Sequence, residues 1–353
     1  MNTERVIAFE LRQVDLLKAR VDVVALKYAR SFHGADRAVA EAFSAAGKPT
    51  KRFELGVDDY VVVQSDGVIR APQVMFIGAP TLSAFRYKEI RRFSAQVLTI
   101  LAREVPDVKT VAMTLHGPGY GLDIVESARQ QFLGVTDAID GGSYPEALEK
   151  VVIVERMGYR LEAAASAIQA EFEDAIPPPG WKPAGKQVWP IYPVPPAGST
   201  RAKAPKAIRA AVSHVTGKPE TKLRVFVAMP FTRRMRDVWR FGIRDPVRRA
   251  GYLCERMDEE FFTGGIIERI KRSIEEADLV IADLTGDNPN VFLEVGYAWG
   301  RQRPTLFLCR EQDGERPDIP FDVASHRCLF YEDATDLEEQ ITRYLEGSED
   351  LTT

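Results

Sequence analysis

Three cysteines and four histidines in 353 residues are few, and their scarcity narrows the chemistry. Cys254, Cys309 and Cys328 show no paired spacing, which excludes a disulfide framework and a structural zinc site. The histidines are scattered, so no metal is expected. No apolar run exceeds strand length, which excludes a membrane-spanning helix, and the opening Met-Asn-Thr-Glu-Arg carries no secretory pattern. A cytoplasmic protein with reduced, buried thiols is expected. Charge of one sign is lacking too: 47 Lys and Arg stand against 51 Asp and Glu, a net of -4, which argues against a dedicated duplex-DNA binder though not against a local basic groove, and a nucleic-acid partner is not expected. What is present, 45% hydrophobic and 28% charged residues, suffices for two globular cores.

The most informative stretch is Ala277-Asp-Leu-Val-Ile-Ala-Asp283-Leu-Thr285-Gly-Asp-Asn288-Pro-Asn290-Val-Phe-Leu-Glu294-Val-Gly-Tyr-Ala-Trp-Gly300. An apolar strand ends in Asp283, a polar loop follows, and Asn288-Pro289 offers an N-cap and a first-turn proline for a helix. Glu294 then falls in the second turn among Val291, Phe292, Leu293, Val295 and Trp299. A carboxylate on such a helix, aimed at the strand ends, sits in a half-buried cleft and suits a nucleophile or general base. An isolated glutamate would more often pair with an arginine or cap a loop; the order of elements around this one tips the balance.

That order alternates. Strands are expected at Leu223 to Met229, Tyr252 to Glu255, Leu279 to Asp283, Thr305 to Cys309 and Cys328 to Tyr331. A long helix is expected from Arg233 to Ala250, with further helices near Gly265 to Glu276, around Glu294 and from Ala334 to Leu345. Five β/α units predict a parallel sheet covered on both faces, with ligands beyond the carboxyl ends of its strands. Phe231, Asp258, Asp283, Thr285, Asn288 and Asn290 map to that edge as candidate substrate contacts. Asp283 and Thr285 serve equally well to order the loop, Phe231 to fill the core, and Arg256 with Asp258 to form a surface ion pair.

The motifs Val225-Phe-Val-Ala-Met-Pro-Phe231, Gly251-Tyr-Leu-Cys-Glu-Arg256-Met-Asp258, Ala282 to Ala298 and Ile319-Pro-Phe-Asp322 resemble bacterial TIR-like effectors and the related nucleoside 2-deoxyribosyltransferases, from about Leu223 to Tyr331. The resemblance implies a flavodoxin-like, TIR-like parallel five-stranded α/β domain over residues 222–353 that cleaves an N-glycosidic bond, with Glu294 as the catalytic carboxylate. The transferases place an aspartate six residues before that glutamate; this chain has Asn288 there. Nicotinamide leaves as a neutral base from a cationic ring and needs no general acid, so the substitution favours an NAD hydrolase over a transferase. NAD enters as substrate, and no cofactor is implied.

Upstream, strands are expected at Val6 to Leu11, Asp22 to Lys27, Tyr60 to Gln64, Val74 to Gly78, Thr110 to Leu115 and Val151 to Glu155, with helices between several of them. The segment Thr114-Leu-His116-Gly117-Pro-Gly119-Tyr120-Gly121-Leu-Asp-Ile-Val-Glu126 puts a glycine-rich loop between a strand and a helix, where backbone N–H groups can cradle a phosphate. With Val21-Asp22-Val-Val-Ala-Leu26 and Gly34-Ala-Asp36 it resembles macro domains, including the amino-terminal domain of leucyl aminopeptidases. The resemblance implies a macro-like mixed-sheet α/β domain over residues 1–175 that senses a nucleotide through Gly117, Gly119, Tyr120, Gly121 and Asp22. Lys27-Tyr-Ala-Arg30 stands where macro domains carry paired asparagines, so binding is expected there and hydrolysis is not. A ligand-free structural domain is the other reading. Residues 176–221, rich in proline, read as a linker laying Trp181, Trp189 and Tyr192 on a domain surface.

Three functions stay open. The first is an antiviral-type effector in which a nucleotide signal switches on NAD hydrolysis in a homo-oligomer. The second is a nucleoside deoxyribosyltransferase or nucleotide N-glycosidase, and the third a non-catalytic nucleotide receptor. All three take small nucleotides as partners.

Overall fold

The computed structural model describes residues 5–172, 180–182, 184–192, 194–198, 222–257, 266–311, 314–324 and 326–347. The chain divides into two compact units, one of Met1–Gly119 with Ile124–Thr216, the other of Tyr120–Asp123 with Gly217–Thr353.

The first unit holds strands β1 (Ile7–Gln13), β2 (Val23–Tyr28), β3 (Tyr60–Gln64), β4 (Gln73–Gly78), β5 (Thr110–Thr114), β6 (Lys150–Glu155) and β7 (Val188–Ile191). Helices α1 (Gly34–Ala45), α2 (Tyr87–Glu104), α3 (Ile124–Asp140) and α4 (Gly158–Glu171) connect them. The seven strands form one sheet in the order β3-β4-β2-β5-β6-β1-β7. The five inner strands are parallel, and β3 and β7 close the edges antiparallel. Covered on both faces, the inner strands are buried almost throughout, which is why they read as unbroken apolar runs rather than alternating ones. Phe43, Phe53 and Phe76 anchor the core beneath α1.

β7 corrects the sequence-based boundary at residue 175. It lies in the stretch read as linker, yet it pairs with β1 from Ile7↔Ile191 to Glu10↔Val188. Trp189, expected on a surface, is buried, and its Nε1 donates to Gln169 Oε1 at 2.9 Å. Residues 176–179, 183, 193 and 199–221 of the expected linker lie outside the described residues.

The second unit holds β8 (Arg224–Ala228), β9 (Leu253–Glu255), β10 (Leu279–Asp283), β11 (Thr305–Arg310) and β12 (Cys328–Tyr331). Its helices are α5 (Asp245–Arg249), α6 (Ile266–Glu276), α7 (Pro289–Gly300), α8 (Phe321–Ala324) and α9 (Ala334–Glu346). All five expected strands are present within one residue of their expected ends. The sheet is parallel throughout, in the order β12-β11-β10-β8-β9. Counted within the unit this is 2-1-3-4-5, the doubly wound order whose switch point falls between the first and third strands, β8 and β10.

Strand alternation builds the two faces. Val225, Val227 and Met229 pack on one side with Trp239, Ile243, Val247, Leu337 and Ile341. Phe226 and Ala228 pack on the other with Ile274, Val291, Val295 and Ala298. The segment leaving β8 therefore crosses to one face and the helix leaving β10 to the other, opening a crevice between their starts.

The expected helix from Arg233 to Ala250 is a composite: a 3-10 turn at Arg233–Met235, a π-helix at Val238–Arg244 and the α-helical α5. Pro246 lacks the N–H that an α-helix would return to Gly242, so regular bonding fails at that point. Gly242 also lies hard against α9: a Cβ there would sit 2.9 Å from Leu337 Cδ2 and 3.2 Å from the Ala334 carbonyl.

Candidate functional site

The loop from β10 to α7 forms one wall of the crevice. Gly286 and Asp287 both take positive φ, 78° and 51°, which turns the chain sharply before the helix. Asn288 then caps α7 in extended conformation, its Oδ1 accepting from Asn290 N at 2.9 Å, with Pro289 in the first turn. The carbonyl of Asn288 is thus engaged by the helix it starts.

Asp283 takes the loop-ordering role. Its carboxyl group is wholly buried, with Oδ1 accepting from Thr285 N at 3.0 Å and Oδ2 from the Tyr331 hydroxyl at 2.8 Å. Burial raises its pKa against the pull of those bonds, and burial likewise raises that of Tyr331. Thr285 Oγ1 accepts from Arg310 N at 2.9 Å. Both residues tie the carboxyl ends of β10, β11 and β12 together, the loop-ordering bonding expected of them. Sequence singled out neither Tyr331 nor Arg310: 48 and 27 residues from Asp283, they carry no local signal for the pairing.

Glu294 is half-buried on α7. Val291, Val295 and Ala298 point into the core, and Asn290, Glu294 and Tyr297, at i, i+4 and i+7, share one flank of that face. The Tyr297 hydroxyl donates to Glu275 Oε1 of α6 at 2.5 Å, which fixes the direction of the flank. Because α6 packs on β8, this flank of α7 lies on the β8 side of β10, the side of the switch point. The opposite flank is apolar, with Trp299 stacked on His326 and edge-on to Phe307.

Across the crevice stands the end of β8. Phe231 is exposed rather than core, and the Arg256 guanidinium lies 5.0 Å from its ring centroid and 4.3 Å from that of Trp239. Arg256 Nη1 also reaches Met229 Sδ at 3.6 Å. Asp258 lies outside the described residues.

The glycine loop is built as a close turn, Gly117 to Gly119 belonging to the first unit and Tyr120 with Gly121 to the second. Gly117 and Gly121 take φ of 105° and 90°, and a Cβ on Gly117 would fall 2.2 Å from Ser127 Oγ, so this position admits no side chain. Gly119 is different: the nearest atom to a Cβ there is Arg160 Nη1 at 3.9 Å, a buried guanidinium nitrogen that also lies 3.8 Å from Glu155 Oε2. Pro118–Tyr120 forms a 3-10 turn, and α3 begins at Ile124.

Behind the loop, Lys27 Nζ and Asp36 Oδ2 pair at 2.9 Å in the interior. His116 is buried edge-on to Phe93 at 4.8 Å and Phe85 at 5.8 Å, and its backbone N–H donates to Gln131 Oε1 at 3.2 Å. Burial, and then the charge of Lys27, hold its pKa well below the ordinary histidine value. Burial raises Asp36 against the attraction of Lys27.

Asp22 does not join this site. It precedes β2, at the opposite end of the parallel strands from the loop that follows β5, and its Oδ2 accepts from Lys109 N at 3.0 Å and Thr110 N at 2.8 Å. The carboxylate clamps the start of β5. A strand-initiating aspartate and a ligand-binding one look alike in sequence; only register separates them.

No family model and no curated protein matches the chain. Among solved structures it is similar to macrodomains. A Trypanosoma brucei macrodomain in complex with ADP has 12% identity and a TM-score of 0.39, and one in complex with ADP-ribose has 11% and 0.38. Each similarity covers 45% of this chain and 68% of that chain. An Oceanobacillus iheyensis macrodomain with MES bound has 13% identity and a TM-score of 0.35 over 46% of this chain and 96% of that one. The chemistry has to be carried by this chain's own residues.

Among the described residues no cluster of three or more His, Cys, Asp or Glu is arranged to hold a metal ion, and no helix is long and apolar enough to cross a membrane. The three cysteines are free; Cys254 and Cys309 are buried, whereas Cys328 is only half-buried. Burial pushes Cys309 up to about 11 and Cys328 up to about 12.

Proposed function

We propose that the second unit cleaves the N-glycosidic bond of a nicotinamide nucleotide such as NAD, with Glu294 stabilising the ribosyl centre as the base departs, and that the first unit binds a regulatory nucleotide at its glycine loop. What supports the first part is the place of Glu294: half-buried on the flank of α7 that it shares with Tyr297, whose hydroxyl bonds Glu275 of α6, next to the switch point between β8 and β10. Departure of the base leaves an oxocarbenium-like ribosyl carbon, and a carboxylate beside it acts by charge or by forming an ester that water then opens. Nicotinamide needs no proton to leave. Asn288, whose carbonyl is held by the α7 cap, supplies none, and this favours a hydrolase of cationic nucleotides over a transferase of neutral nucleosides.

Purified protein incubated with NAD, NADP and a deoxynucleoside plus acceptor base, with and without candidate nucleotide signals, tests the proposal by chromatography of free base. Nicotinamide release that falls at least about 100-fold in Glu294→Gln, with the melting curve unchanged, is the expected result. Base exchange between nucleosides would move the assignment to the transferase. For the first unit, the close turn of the loop supports phosphate binding. ADP-ribose binding by calorimetry is expected to weaken at least about tenfold in Gly119→Glu, which sets a carboxylate where the diphosphate would lie.

A further inference from the structure

The second unit is not one run of chain. It takes in Tyr120–Asp123, the four residues that follow Gly119 of the glycine loop, before the chain returns to the first unit at Ile124. All four are buried. Within the second unit they lie against β9, which is the outer strand of its sheet among the described residues and yet is buried at all three positions. Leu253 N bonds the Leu223 carbonyl at 2.8 Å, so Cys254, one residue on, turns its N–H away from β8. Asp123 Oδ2 accepts that N–H at 3.4 Å and lies 3.5 Å from Arg248 Nε of α5. A bare strand edge is thereby closed by a carboxylate.

The rest of the segment is pinned as well. The Arg269 guanidinium of α6 lies 4.5 Å from the centroid of the Tyr120 ring. Gly121 holds φ at 90°, and a Cβ there would fall 2.3 Å from Met257 Sδ, so its backbone packs directly on that thioether. Met257 in turn shares a core with Ala228 and Ala282, close to the carboxyl ends of β8 and β10. Through Met257 the segment bears on the two strand ends that flank the switch point.

We propose that Tyr120–Asp123 is a strap that links the glycine loop to the edge of β9: a nucleotide that orders the loop fastens the strap, and the fastened strap firms the strand ends beside the crevice. This rests on the reading of the loop as a nucleotide site. Gly119 and Tyr120 are consecutive, so a change in the loop reaches the strap with no intervening residue to absorb it. Linkage is reciprocal, and loosening the strap must weaken the nucleotide.

The test uses full-length protein with ADP-ribose as the probe. Hydrogen exchange at Leu253–Glu255 is expected to slow at least about fivefold when the wild type is saturated, and not to slow in saturated Asp123→Ala. By calorimetry, Arg248→Ala, which removes the cation facing Asp123 more than a hundred residues from the loop, is expected to weaken ADP-ribose about 5- to 10-fold. Binding that leaves exchange at β9 unchanged in the wild type, or slows it equally in Asp123→Ala, would overturn the proposal.

Should the wild type bind no ADP-ribose, the nucleotide reading of the loop fails instead, and the strap is judged without ligand. Faster exchange of the Gly117, Gly119 and Tyr120 amides in Arg248→Ala then sustains it, and unchanged exchange there removes it. Melting curves establish that the variants fold. If Asp123→Ala does not, Asp123→Asn makes the same comparison, since it keeps an acceptor for Cys254 N and loses the charge facing Arg248.

Discussion

At the scale of single residues, the two buried polar centres have opposite consequences. Asp283 and Tyr331 satisfy each other in the interior of the second unit, so Tyr331→Phe leaves a buried carboxyl oxygen without its donor. Loss of about 1–3 kcal/mol in that unit's unfolding transition is expected by denaturant titration, with the β10–α7 loop loosened and turnover reduced. His116 acts through protons. The folded first unit holds it neutral, its pKa below the 6.5 of the ordinary side chain. Above about pH 6.5 both folded and unfolded chains are neutral at this site, and its favourable contribution is complete. As pH falls below that value the unfolded chain gains a proton that the folded one refuses, and stability drops by up to about 1.4 kcal/mol per pH unit until the folded pKa is reached. Melting temperature followed from pH 7.5 to 5 should therefore decline less in His116→Gln than in the wild type.

At the scale of elements, α7 depends on Asn288. Asn288→Ala removes the acceptor for Asn290 N and should destabilise the helix start by about 0.5–2 kcal/mol, lowering turnover by letting Glu294 wander. Asn288→Asp preserves the cap and should leave the melting curve unchanged. This helix was legible in advance because cap, proline and apolar face all lie within a dozen consecutive residues. So were the parallel strands, whose burial on two faces writes itself as an apolar run. The π-helix at Val238–Arg244 was not: it answers to Pro246 and to the approach of Leu337, some ninety residues on, at Gly242. Likewise Asp283 with Tyr331, and Lys27 with Asp36 behind His116, are meetings imposed by sheet order, which periodicity does not record.

At the scale of the whole molecule, the miss that matters most is β7. Proline-rich flanks disguised a four-residue strand as linker, yet Trp189 and Ile191 complete the core beside β1. A fragment ending at residue 175 is accordingly expected to aggregate or to melt at lower temperature than one ending at residue 198, as circular dichroism and gel filtration would show. Among the described residues β7 is also the outer strand of its sheet. Leu11 N bonds the Gln187 carbonyl, so by antiparallel alternation Pro190, opposite Ala8, turns its backbone nitrogen away from β1. That nitrogen carries no hydrogen. An incoming chain seeking to anneal along this border would meet a gap in the row of donors, so fibrous stacking of one molecule on the next is blocked there by a single imino acid.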